Sequence, residues 1–95
     1  MSQALPDYPI RRDTLVFEDL DNTQEVMVTN NADGSSLSLN LIATSILEAC
    51  DGEHSQQDMV QIICEALDAE PDIVHNDVVS ILEEFAIFGL LKNAG

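Results

Sequence analysis

The hydrophobic period of this chain changes once, at Asn40, and that change decides what it can fold into. Before Asn40, apolar and polar residues alternate in short runs; after it, apolar residues recur at helical spacing. Ser35-Ser36-Leu37-Ser38-Leu39 alternates at period two, which points Leu37 and Leu39 inward and Ser36 and Ser38 outward. Glu25-Val26-Met27-Val28-Thr29 reads as a strand with Val26 and Val28 on one face. Leu15-Val16-Phe17, after Thr14, is a third β-type run. Turn residues fill 19–24 and 30–34, and Asp33-Gly34 is a strong hairpin signal. Three short antiparallel strands are expected, too few to be stable without helices on one face. Residues 1–10, with Pro6 and Pro9, read as an extended or frayed lead-in.

The helical half carries its own punctuation. Asn40 is a good N-cap for a helix over 41–50 that presents Ile42, Ile46, Leu47 and Cys50. Asp51-Gly52 ends it, with Gly52 suited to a left-handed C′ position. Ser55, followed three residues later by Asp58, caps a second helix that presents Met59, Val60, Ile63, Cys64 and Leu67. Pro71 interrupts the chain, and Asp72 is the expected cap of a third helix running to Phe88 before Gly89. Val74, Val78, Ile81, Leu82, Phe85 and Phe88 form its apolar stripe, and Val79 and Ala86 extend one flank. The fold class is α+β: a three-stranded antiparallel sheet, then three helices, in a winged helix-turn-helix-like outline. The expected organisation is one domain over 1–95.

Charge removes several functions. Eighteen acidic residues face three basic ones, a net charge of −15. Arg11, Arg12 and Lys92 cannot form the basic face that nucleic acid or an anionic membrane requires. Apolar runs are far shorter than the roughly 20 residues that span a bilayer. The start, Met1-Ser2-Gln3-Ala4-Leu5-Pro6, lacks the features of a secretory signal. Cys50 and Cys64 are not in a C-x-x-C pair, as expected for structural thiols in a reduced cytoplasm.

Catalytic and metal chemistry find little support. His54 and His75 lack metal-ligand spacing, and each reads as a solvated surface histidine. Asp19-Leu20-Asp21-Asn22-Thr23 begins like a calcium loop, but Gln24 replaces the required glycine and Asn30 the final glutamate. No metal or cofactor is expected. The acidic rival is a phosphopantetheine carrier, whose modified serine would be Ser36; the motif around Asp33-Gly34-Ser35-Ser36-Leu37 is only a partial match, within a strand pattern. A generic acidic protein-interaction adaptor is the blander alternative.

The order of several residues resembles the PqqD family. They are Leu39-Asn40, Thr44, Ile46-Leu47, Cys50-Asp51-Gly52, Ser55, Asp77-Val78, Leu82 and Gly89-Leu90-Leu91, spanning about residues 35–91. The resemblance implies a non-catalytic peptide chaperone. It would bind the leader segment of a ribosomally synthesised, post-translationally modified precursor and present it to a modifying enzyme. In the PqqD case that enzyme is a radical S-adenosylmethionine enzyme of pyrroloquinoline quinone biosynthesis. The leader would add as a strand beside the third strand, in the groove against the third helix. Ser35, Ser36, Leu37, Ser38 and Leu39 suit an edge that accepts a peptide, being uncharged and free of proline. Val78, Val79, Leu82 and Ala86 are the expected apolar wall. The same open edge also allows a dimer, so either a monomer or a dimer is consistent with the sequence.

Overall fold

The computed structural model describes residues 5–20 and 24–93. Part of the 19–24 turn and calcium-like loop, and residues 1–4 of the lead-in, lie outside them. Strands β1 (Leu15–Asp19), β2 (Glu25–Asn30) and β3 (Ser35–Asn40) precede helices α1 (Leu41–Glu48), α2 (Gln56–Leu67) and α3 (Pro71–Ile87). The sheet is antiparallel with order β1-β2-β3, so β2 is central. Val28 pairs with Phe17 and Leu37, and Val26 with Asp19 and Leu39. This register sets Val26, Val28, Leu37 and Leu39 on one face, as the alternation predicts. Thr29 and Ser36 meet on the other face through their hydroxyls at 3.1 Å.

The hairpin between β2 and β3 follows from its polar residues. Asn30 O accepts from Asp33 N and Gly34 N, and Gly34 takes φ 77, a left-handed position that glycine occupies without strain. Asn30 is buried, but its Oδ1 accepts from Thr14 Oγ1 at 2.7 Å and Ala32 N at 3.0 Å. That pairing removes the cost of burying an amide.

Each helix starts at a recognisable residue. Asn40 ends β3 and caps α1, its Oδ1 accepting from Ala43 N at 2.8 Å. Ser55 and Asp58 form a reciprocal capping box on α2. α3 differs from expectation: its N-cap is Glu70, and Pro71 is the first helical residue, leaving Asp72 in the first turn. A proline at this position lacks an N–H that would have been unpaired anyway, so it sets the boundary. Gly89 (φ 72) closes α3, with Leu90 N donating to Phe85 O and Gly89 N to Ala86 O. This is the paired Schellman pattern.

α1 ends two residues earlier than the periodicity suggests, because the lead-in segment takes over. Arg11 N donates to Cys50 O, Gly52 N to Pro9 O, Arg12 N to Leu90 O and Lys92 N to Ile10 O. Isolated antiparallel bridges join Ile10 to Asp51 and Arg11 to Leu91. The described part of the lead-in is therefore fastened to the fold, not frayed. Gly52 does adopt a left-handed conformation (φ 83), but beneath this strap and not at the C′ position of α1. A Cβ there would sit 3.1 Å from Ile10 Cγ1.

Both arginines hold helix ends. Arg11 Nη1 donates to Glu48 O and Cys50 O at the end of α1, and Arg12 Nε donates to Gly89 O at the end of α3. Cations there complement the carbonyl end of the helix dipole. One apolar core joins the layers, with Val28, Ile46, Leu47, Met59, Val78, Leu82, Phe85 and Leu91 almost wholly inaccessible.

Because Asn40 serves both a strand and a helix, Asn40→Ala is expected to lower stability by about 1 kcal/mol. The check is a lower urea midpoint with an unchanged denaturant slope.

Candidate functional site

The hydrogen-bond phase of the sheet fixes which groups β3 presents. Asn31 N donates to Thr14 O and Leu20 N to Glu25 O. In an antiparallel pair the bonded residues alternate, so Glu25, Met27 and Thr29 turn their backbone groups toward β1. Val26 and Val28 therefore face β3, engaging Leu39 and Leu37. The N–H and C=O of Ser36 and Ser38 consequently point away from the sheet. Among the described residues, no segment pairs with that outer edge of β3.

A recess of about 300 Å³ opens at the Asn40 end of this edge, lined by Asn40, Ile42, Asp77, Ser80, Ile81 and Glu84. α3 packs against α2 and α1, and its middle turns wall this recess, a short trough where β3 ends at Asn40. The direction of α3 follows from its ends. Its middle lines the recess at Asn40, whereas Gly89 and Leu90 are held by Arg12, two residues before Thr14, whose hydroxyl bonds Asn30. The C-terminal end of α3 is therefore held at the start of β1, toward the 30–34 end of the sheet.

The structure separates the residues expected in the groove. Ser35 to Leu39 form the edge strand, with Leu37 half-buried and Leu39 buried. Val78, Leu82 and Ala86 are 1%, 0% and 8% exposed, packed in the core with Phe85. Their side chains are covered by the protein itself. Val79 is half-buried on the flank shared with Ala86. At about 100° per residue, that flank lies across the buried stripe from Asp77, Ile81 and Glu84. The recess beside β3 is thus walled by the opposite flank of α3 from the one expected. Phe88, seven residues after Ile81 and 51% exposed, continues this flank. Ile42 and Ile81 had the spacing of core residues. Only the mixed character of the Asp77-Ser80-Ile81-Glu84 face distinguished it in the sequence.

Other recesses have different surroundings. A larger one, about 510 Å³, lies at the opposite side of the sheet, between the strap, β1 and the end of α1. Its wall includes Arg11, whose guanidinium is held by the α1 carbonyls.

The described residues hold no cluster of three or more His, Cys, Asp or Glu side chains that could hold a metal ion. Both cysteines are free thiols. Burial pushes the Cys50 thiol up to about 12, and its Sγ donates to Ile46 O. A thiol so raised is a poor nucleophile. His54 Nδ1 lies 3.0 Å from Asp51 Oδ1 in the turn after α1. Its hydrogen bond to Asp51, aided by that carboxylate's charge, raises the His54 pKa above 6.5. The same bond lowers Asp51. No helix among the described residues is long and apolar enough to cross a membrane.

With this geometry in view, the comparisons are specific. Residues 25–91 match the family described as coenzyme PQQ synthesis protein D (PqqD), from β2 through the chain's return after α3. The chain belongs to the PqqD family. No match is found among curated proteins. Two solved structures share the fold of this PqqD-family chain. One is TbiB1 in complex with the TbiA(beta) leader peptide: TM-score 0.76, 20% identity, covering 90% of this chain and 98% of the other. The second is lasso peptide synthetase B1 complexed with the leader peptide: TM-score 0.75, 17% identity, covering 88% and 96%.

The Asp51–His54 pair predicts a definite pH window. The raised His54 pKa contributes stability below its unfolded value, lost as pH rises through the folded value. The lowered Asp51 pKa contributes above its unfolded value, lost as pH falls through the folded one. The pair should therefore act between the two folded pKa values. NMR titration should give His54 a midpoint above 6.5 that falls toward 6.5 in Asp51→Asn.

Proposed function

We propose that this PqqD-family chain is a non-catalytic recognition element for the leader segment of a ribosomally made precursor peptide. It holds the leader as an added strand on β3 and presents it to a modifying enzyme, which in the PqqD case is of the radical S-adenosylmethionine type. The observation that carries the reading is the outer edge of β3, unpaired among the described residues, with a recess walled by α3 at its Asn40 end, in a fold shared with two proteins solved with leader peptides. Strand addition satisfies the outward backbone groups of Ser36 and Ser38, while alternate side chains of the peptide enter the trough. Nothing in such a mechanism needs a nucleophile, a base or a metal.

The carrier alternative fits poorly. Its serine belongs at the start of a helix, whereas Ser36 lies within β3 with its hydroxyl against Thr29 Oγ1. A prosthetic arm there would emerge from the face of the sheet opposite Leu37 and Leu39.

Ser38→Pro tests the edge directly. It removes an outward N–H, and an edge strand tolerates proline where that N–H faces solvent. Calorimetry against leader peptides should show about a tenfold loss of affinity, the order of one or two lost hydrogen bonds, while Ser38→Ala binds normally. Equal affinity of Ser38→Pro and the unmodified protein, both shown folded by circular dichroism, would refute strand addition at β3.

A further inference from the structure

The trough is not merely apolar, and its charges imply a pattern in the peptide. Asp77, Ile81 and Glu84 follow one another along the exposed flank of α3, and the recess contains no basic residue. The three cations of the chain are engaged elsewhere: Arg11 on the end of α1, Arg12 on the end of α3, and Lys92 with Asp13 at 3.0 Å. Two carboxylates thus flank one isoleucine beside the edge strand, with no cationic side chain among the described residues that line the recess.

Building on the leader-binding reading, we infer that the bound segment carries a basic–x–apolar–x–basic pattern: an apolar side chain against Ile42 and Ile81, flanked by Lys or Arg residues facing Asp77 and Glu84. The spacing comes from helix and strand geometry. Asp77 to Glu84 spans seven residues of helix, about 10.5 Å, with Ile81 near the middle at about 6 Å from Asp77. In an added strand, residues on the helix-facing side recur every second position, about 6.8 Å apart. Positions i, i+2 and i+4 therefore fall against Asp77, Ile81 and Glu84 within the reach of a long side chain. The order of the three can run in either strand direction, because the pattern is symmetric.

Lysine and arginine suit these outer positions for two reasons. Their methylene stems cover apolar surface while the charged head stays in water beside a carboxylate. An acidic residue there would be repelled, so the same pair discriminates against acidic segments. The recess volume of about 300 Å³ is at the lower limit for small-molecule pockets and suits side chains of a peptide.

The test uses end-blocked synthetic peptides titrated into the isotopically labelled protein and followed by NMR. The in-phase probe is Thr-Lys-Thr-Val-Thr-Lys-Thr. A neutral version replaces both lysines by glutamine, and an out-of-phase version, Thr-Thr-Lys-Val-Lys-Thr-Thr, keeps the charge on the solvent side. At low salt the in-phase probe should bind about three- to tenfold tighter than the neutral one, as expected for two exposed ion pairs. That advantage should shrink as salt rises. It should vanish in the Asp77→Asn, Glu84→Gln double variant and persist in Glu53→Gln, Glu65→Gln, which removes equal charge outside the recess. Equal binding of the in-phase and out-of-phase probes, or an advantage that survives the Asp77/Glu84 change, overturns the pattern and leaves leader binding intact. If every probe leaves the Ser36 and Ser38 amides unshifted, the pattern and strand addition on β3 fail together.

Discussion

Asn40 joins the two layers without a linker. It is the last residue of β3 and the cap of α1, and Thr44 Oγ1 also donates to its carbonyl at 2.8 Å. The chain therefore leaves the sheet directly into the helical layer instead of turning back into a fourth strand. β3 becomes an edge for that reason. The first turn of α1 brings Ile42 to the strand's end, where the middle of α3 meets it. One side-chain amide thus fixes both the open backbone edge and one wall of the trough beside it.

The distribution of charge reinforces this division. A chain with 18 acidic and three basic residues has little means of neutralising itself. Its arginines act on the C-terminal carbonyls of α1 and α3, where a local geometric need is met. The other carboxylates among the described residues stay largely solvated, and those of Asp77 and Glu84 stand at the trough. Electrostatics here contributes more to the choice of partner than to stability, since exposed charges interact weakly within the fold.

Features governed by neighbours in sequence were legible from the sequence. The alternation in β2 and β3, the Asn40 cap, the Ser55–Asp58 box and the Gly89 terminus all depend on residues a few positions apart, and the structure has each of them. The α3 boundary was not legible because Asp72 is a good capping type, whereas the rigid ring of Pro71 places the cap at Glu70. The flank of α3 that borders β3 was not legible. Periodicity shows that Val78 and Leu82 are inside, but which side of that stripe meets the sheet depends on how α3 docks. Val79 and Ile81 are equivalent on periodicity alone. The strap was hidden for a similar reason: Arg11 finds its backbone partners in Cys50 and Leu91, far along the chain.

The strap also has a consequence for the order of events during synthesis. The two hairpins of the sheet close between near neighbours, so they can form early, as local contacts do. Arg11 cannot meet Leu91, nor Ile10 meet Lys92, until residues 91 and 92 have left the ribosome. The clasp that completes the domain is therefore its last long-range contact to become available, while a sticky strand margin has long been exposed. During that interval the mutual repulsion of nascent acidic chains protects against their sticking together.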